Sequence, residues 1–322
     1  MPPLQSGDQL DHYRIESLVS QTAMSFVYRA TDLRNDRVVA IKVPSFEVES
    51  DPLFYDRFKR EEAIGRNLSH PRVTRGLEDE DRSRLYMVME WVEGRLLRHI
   101  LAEHNKLSAE RAIRITVGIC EALEYIHSKG VVHRDLKPEN IMVDPEDRIK
   151  LFDFGIAGSV SMRRLTYGKL TRDMGTPDYI SPEQIKSKRG DARSDVYALG
   201  VMLYEMLTGE LPFHGPNPLA VLNDRLVNHP IPPRELDPAI SPQLQEIIYR
   251  ALERDPANRY PNAREFANDL VNPASVGIAE RDELQNWQAR RSARPRTVLK
   301  YMLIAMIPIV LFILLLVTAR RN

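Results

Sequence analysis

Apolar and polar positions change their spacing about a third of the way along the chain. Residues 38–43 (Val-Val-Ala-Ile-Lys-Val) and 85–89 (Leu-Tyr-Met-Val-Met) are short runs with strand character, and one helical stretch lies near 53–68. Together they predict a small sheet with one main helix over residues 13–92. From 94 to 270 helical spacing takes over, as in 112–123, 194–207 and 243–252. Within that region, residues 141–143 and 149–152 read as two short strands joined by a turn at Asp144-Pro145-Glu146-Asp147. Residues 1–12 are polar, carry proline and glycine, and read as a loose tail. The expected fold class is α+β, with a β-rich lobe, a larger helical lobe and a site in the cleft between them.

The carboxyl end departs from both patterns. Residues 301–319 are 19 positions without a charge, and as a helix they would span about 28 Å, close to the hydrocarbon thickness of a bilayer. The run is apolar on every side, which disfavours an amphipathic surface helix, and Pro308 is tolerable in a membrane helix. It is read as a transmembrane helix with a short tail at 320–322. Arg290, Arg291, Arg294, Arg296 and Lys300 precede the run, whereas Arg320 and Arg321 follow it, so the lobes are expected on the cytoplasmic side. The basic linker, residues 271–300, either holds anionic headgroups or serves as a topology signal alone. Little is expected beyond the membrane, so input would come from the cytoplasm, the lipid or partners in the bilayer.

Composition narrows the function classes. Lys+Arg and Asp+Glu both number 45, so no global basic field argues for nucleic acid. The lone cysteine, Cys120, excludes an internal disulfide framework and a multi-cysteine metal site, and its helical surroundings read as a packed core. Residues 1–10 are short and polar, unlike a secretion signal.

The chemistry concentrates in His133-Arg134-Asp135-Leu136-Lys137-Pro138-Glu139-Asn140 and in Asp153-Phe154-Gly155. Phosphoryl transfer asks little covalent work of a protein and depends on positioning and aimed charge. Asp135 can accept a hydroxyl proton and Lys137 supplies a cation two places on. Asn140 and Asp153 offer the hard oxygens that suit magnesium, which is usually held by few protein groups plus phosphates. A hairpin between them can return both ligands to one edge.

These residues resemble the eukaryotic-type (Hanks-type) protein kinase family in its Ser/Thr branch, and the bacterial membrane-anchored members most of all. Val39-Ala40-Ile41-Lys42 is similar to the family's third-strand lysine motif, and Glu61 falls at its αC glutamate, the ion-pair partner of Lys42. Met89-Glu90-Trp91-Val92 resembles the gatekeeper and hinge, with Val27 and Ala40 among the other nucleotide-contacting positions. Ser181-Pro182-Glu183 stands where the family has Ala-Pro-Glu, Asp195 and Arg259 match two further anchors, and Arg259 is the expected partner of Glu183. By this resemblance His133 packs beneath the catalytic loop, while His127 reads as a residue at a helix end. The implied cofactors are ATP and Mg2+, the implied substrates are proteins bearing Ser or Thr, and the implied place is a bacterial inner membrane. Pairing of two copies through the small lobe is a further implication.

One departure stands out. The family covers the phosphates with a Gly-x-Gly-x-x-Gly loop, and the matching positions here are Ser20, Thr22 and Ser25. Glycine lets backbone N–H groups approach phosphate and take positive φ cheaply, and β-branched Thr22 is the worst fit. The expected penalty is about 1–2 kcal/mol in nucleotide binding. Between Asp153 and Glu183, Thr171 is the first expected autophosphorylation site and Thr166 the second, with Arg134 as a phosphate partner. Thr176 resembles the family threonine that bonds Asp135 and Lys137. The alternatives are a membrane-tethered pseudokinase scaffold, favoured by the glycine-free loop, and a kinase-like enzyme for a small metabolite.

Overall fold

The computed structural model describes residues 3–45, 51–79, 82–153 and 178–280. The expectations for Thr166, Thr171, Thr176 and the 301–319 run lie outside the described residues. Among those described, no helix is long and apolar enough to cross a membrane.

The first lobe is one antiparallel sheet of order β1-β2-β3-β4-β6-β5, built from Gln9–Leu10, Tyr13–Gln21, Ser25–Asp32, Arg37–Pro44, Met87–Glu90 (β6) and Gly76–Leu77 (β5). Its single helix, α1, is Pro52–Asn67. Alternation divides the sheet by face. Tyr28, Ala30, Val39, Ile41, Val43, Tyr86 and Val88 are buried in one apolar layer. The opposite parity, Val27, Ala40, Lys42, Met87 and Met89, therefore occupies the other face, with Val27 and Met87 flanking Lys42 in register. Phe58 of α1 packs with Leu85 and Met87 on that second side.

In place of a loose tail, residues 4–12 are tied to the sheet. Gln9–Leu10 pairs with Tyr13–Arg14, the Gly7 N–H bonds the Ile15 carbonyl at 2.9 Å, and the Leu4 N–H donates to the Tyr28 hydroxyl at 3.0 Å. A two-residue strand leaves too short a pattern to be read against the surrounding polar residues.

The second lobe is helical: α2 Leu97–His104, α3 Ala109–Ser128, α4 Pro182–Ile185, α5 Ala192–Thr208, α6 Pro218–Val227, α7 Pro233–Leu236, α8 Pro242–Ala251 and α9 Ala263–Val271. Ser108 caps α3 by accepting from the Arg111 N–H at 3.3 Å. Asp191 caps α5, which stops at Gly209 in the left-handed region at φ 76°. Alpha5 is buried on all sides from Ser194 to Thr208, the pattern of a helix at the centre of a core. Cys120 packs beside it with its thiol pushed up by burial, as a core residue. A small sheet, β7 Arg95–Leu96, β8 Ile141–Val143 and β9 Ile149–Leu151, lies at the junction. There Leu151 exchanges bonds of 2.9 Å with Arg72 and Thr74, joining the segment after α1 to the β8–β9 hairpin.

Candidate active site

Lys42 reaches the cleft because strand period places it opposite Ile41 and Val43. Its Nζ donates to Glu61 Oε1 of α1 at 2.7 Å and also to Asp153 Oδ1. Three elements, β4, α1 and the short segment after β9, thus converge on one ammonium. Burial works against the Lys42 charge, but Asp153 and Glu61 outweigh it and raise its pKa. Burial likewise opposes Asp153, yet Lys42 holds that carboxyl down to about 2. Burial pushes Glu61 up to about 7: Lys42 opposes the shift, and the Asp153 carboxylate beside it adds to it.

The loop between α3 and β8 is held from below. Buried Asp195 of α5 accepts the backbone N–H of His133 at 2.9 Å and of Arg134 at 2.8 Å, and pairs with His127 Nε2 at 2.7 Å. His127 does close α3, as read, but it is also a partner of the Asp195 anchor. These bonds fix Arg134 at φ 63°, a strained backbone for a side chain, and Asp153 sits similarly at φ 60°. His133 is fully buried with Nε2 3.1 Å from the Phe152 carbonyl. Gln184 Nε2, unread from sequence, donates to the Arg134 carbonyl at 3.0 Å.

So supported, Asp135 faces solvent at 46% side-chain exposure with Lys137 Nζ 2.8 Å from its Oδ2. The Asn140 amide nitrogen donates to the Asp135 carbonyl at 2.7 Å, which leaves its carbonyl oxygen for another partner. One ionised carboxylate and one oriented amide oxygen are the donor set that fits magnesium alongside phosphates.

The glycine-free loop closes on itself. Thr22 Oγ1 accepts the N–H of Met24 at 3.2 Å and of Ser25 at 3.0 Å, while the Thr22 N–H donates to the Ser25 carbonyl at 2.9 Å. No residue from 20 to 25 has positive φ, so the turn takes a path open to side chains. Ser20 pairs in register with Val27, in line with Lys42. At the hinge, Ala40 pairs with Met89 and Val39 with Glu90. Lys150 and the Arg75 N–H occupy the Glu90 carboxylate. Deeper in the lobe, Arg259 grips Glu183 with Nη1 to Oε1 at 2.8 Å and Nη2 to Oε2 at 2.7 Å, and Ser194 adds 2.7 Å. That pair ties the start of α4 to the segment before α9.

A protein kinase domain family model matches residues 13–270. The chain belongs to the protein kinase family. Relatives include the serine/threonine-protein kinase PknB of Mycobacterium tuberculosis, 37% identical over 301 residues, covering 89% of this chain and 48% of that protein. A probable serine/threonine-protein kinase of Streptomyces coelicolor is 38% identical over 263 residues, covering 80% and 39%. The chain thus spans about half the length or less of these curated relatives. The Mycobacterium tuberculosis PknI kinase domain superposes with a TM-score of 0.67 at 26% identity, covering 85% of this chain and all of that one. A structure of Rad53 in complex with AMP-PNP gives 0.64 at 30% identity, covering 80% and 64%. The β-rich and helical lobes are therefore those of a protein kinase.

Proposed function

We propose that the chain transfers the γ-phosphate of ATP to Ser or Thr hydroxyls of proteins. The observation that carries this reading is the convergence of Lys42, Glu61 and Asp153 on one side of the cleft, with the half-buried Asp135 and Lys137 beside Asn140. Lys42 would hold the α and β phosphates, and Glu61 keeps it in place. Asp135 accepts the proton of the incoming hydroxyl, and Lys137 offsets charge on the moving phosphoryl group. Magnesium, which Asp153 and Asn140 would hold together with the phosphates, would neutralise phosphate charge. The bound AMP-PNP of the Rad53 structure and the names of the bacterial relatives support the choice of nucleotide and acceptor.

The finer reading is of a tail-anchored enzyme, with residues 301–319 in the bilayer and the lobes in the cytoplasm, autophosphorylating at Thr171 and then Thr166. Thr176 would bond Asp135 and Lys137, and two copies would pair through the small lobe. A second reading, a weakly active scaffold, draws on Thr22, because its hydroxyl takes two N–H groups that phosphate would otherwise use. Incubating the chain with labelled ATP and magnesium, then hydrolysing it for phosphoamino acids and mapping its peptides, separates the two. Phosphothreonine within 154–177 is the expected result. No incorporation into the chain or an added protein substrate would leave the scaffold standing.

A further inference from the structure

The Lys42–Glu61 bond requires α1 to sit at one height and rotation against the sheet. Two devices set that position. The first is a close backbone approach: a Cβ on Gly76 of β5 would lie 2.8 Å from the Gly65 carbonyl carbon and 2.9 Å from the Arg66 nitrogen of α1. This limits how near the helix comes and leaves its rotation open.

The second device involves charges that read as ordinary surface residues in the sequence. Glu62, next to Glu61 on α1, is only 8% exposed. Its Oε1 accepts from Arg82 Nη1 at 2.6 Å and from Arg66 Nη2 at 2.7 Å, with Lys59 Nζ 3.8 Å from Oε2. Arg66 and Lys59 belong to the same helix, so their bonds to Glu62 cannot locate it, and Arg66 Nη2 reaches out of the helix only to the Asp79 carbonyl, at a long 3.5 Å. Arg82 belongs to the sheet side: its Nη1 also donates to the Tyr86 carbonyl, and its guanidinium lies 5.6 Å from the centroid of the Tyr86 ring. Tyr86 is itself immobilised, with its hydroxyl bonded to Asp11 at 2.8 Å and Asp79 at 2.9 Å. Met87, the next residue, is the ladder partner of Lys42. A continuous path therefore runs from Glu62 through Arg82 and Tyr86 to the strand beside Lys42, and closes through Glu61.

We propose that Glu62 and Arg82 are positioning residues for catalysis, a clamp that keeps Glu61 in reach of Lys42. This rests on the kinase reading for its consequence and on geometry alone for its existence. A buried carboxylate shared by two guanidiniums is held by charge-assisted bonds, and loss of Arg82 leaves it with intrahelical partners only. Alpha1 then turns, Lys42 keeps Asp153 alone, and the phosphate-binding ammonium moves.

The test measures kcat and the KM for ATP of the full chain carrying Arg82→Met, Glu61→Gln, or both. Arg82→Met is expected to lower kcat between about 10- and 100-fold, the usual cost of an ångström-scale misplacement. In the Glu61→Gln background the same change should cost less than about twofold, since nothing remains for the clamp to position. An undiminished loss in that background, or no loss in the wild type, overturns the proposal. A wild-type chain without turnover defeats the kinase reading instead, and the clamp is then decided by spin labels on Arg60→Cys and Arg37→Cys. Arg82→Met should lengthen or broaden the distance between them, and an unchanged distribution overturns the clamp.

Discussion

Replacing Lys42 with methionine should cost stability as well as activity, and the stability cost should depend on pH. Lys42 is the cation between Glu61 and Asp153, so its loss leaves two carboxylates facing each other. Breaking a fully buried ion pair costs about 3–5 kcal/mol. Asp153 is 42% exposed in its side chain, so water screens its share, while Glu61 at 18% carries more of the effect; a net loss of about 2 kcal/mol near neutral pH is the reasonable scale. For a domain of this size that corresponds to about 4–8 °C in Tm. Glu61 already stands at about 7 with Lys42 present, above its value of 4.5 in an unfolded chain. A raised acid contributes stability below the unfolded value and loses it as pH rises through the folded value. Without Lys42 that folded value climbs further, so the deficit of Lys42→Met relative to wild type should be larger at pH 8 than at pH 6. Thermal melts of both proteins across that range give the answer. A deficit that is constant with pH, or larger at pH 6, would refute the shared-cation account of the site.

Other outcomes follow from the same geometry. Arg259→Met leaves the Glu183 carboxylate buried with Ser194 as its remaining side-chain donor, and should destabilise by about 3–5 kcal/mol in chemical denaturation. Glu183 and Asp195 are both held below the usual carboxylate range: burial opposes this, but Arg259 outweighs it for the first and His127 for the second. Their stabilisation is therefore present above the unfolded carboxylate values, 4.5 for Glu183 and 3.8 for Asp195, and lost as pH falls through the lowered values, so the Tm advantage of wild type over Glu183→Gln should hold from pH 7 to about pH 5 and shrink below that. Thr22→Gly frees the N–H groups of Met24 and Ser25 and should lower the KM for ATP about 10-fold, equivalent to about 1.4 kcal/mol. An unchanged KM would show that the loop's hydroxyl is no obstacle to phosphate.

Much of the site was legible because its residues sit on regular elements. Lys42 is marked by the alternation of Val39, Ile41 and Val43 around it, and the hairpin carrying Asn140 and Asp153 to one edge is marked by its two apolar runs and the turn between them. What escaped was contact across long separations. Nothing local in His127-Ser128-Lys129-Gly130 says that His127 will meet Asp195, 68 positions away. The side chain of Gln184 gives no sign that it will brace Arg134, nor do Glu62 and Arg82 look different from solvated surface charges until the helix is docked. Thr22 reads from sequence as a poor glycine substitute by its branching, yet the inward turn of its hydroxyl depends on the loop's backbone path. The strand at Gln9–Leu10 is too short for any periodicity to register.

The central claim is that Asp135 takes a hydroxyl proton in a magnesium- and ATP-dependent transfer. Its most direct measurement is the rate of labelled phosphate incorporation by the wild-type chain and by Asp135→Asn, with ATP binding followed in parallel. The account predicts a loss of at least about 100-fold in rate with nucleotide affinity little changed. Equal rates in the two proteins would contradict it.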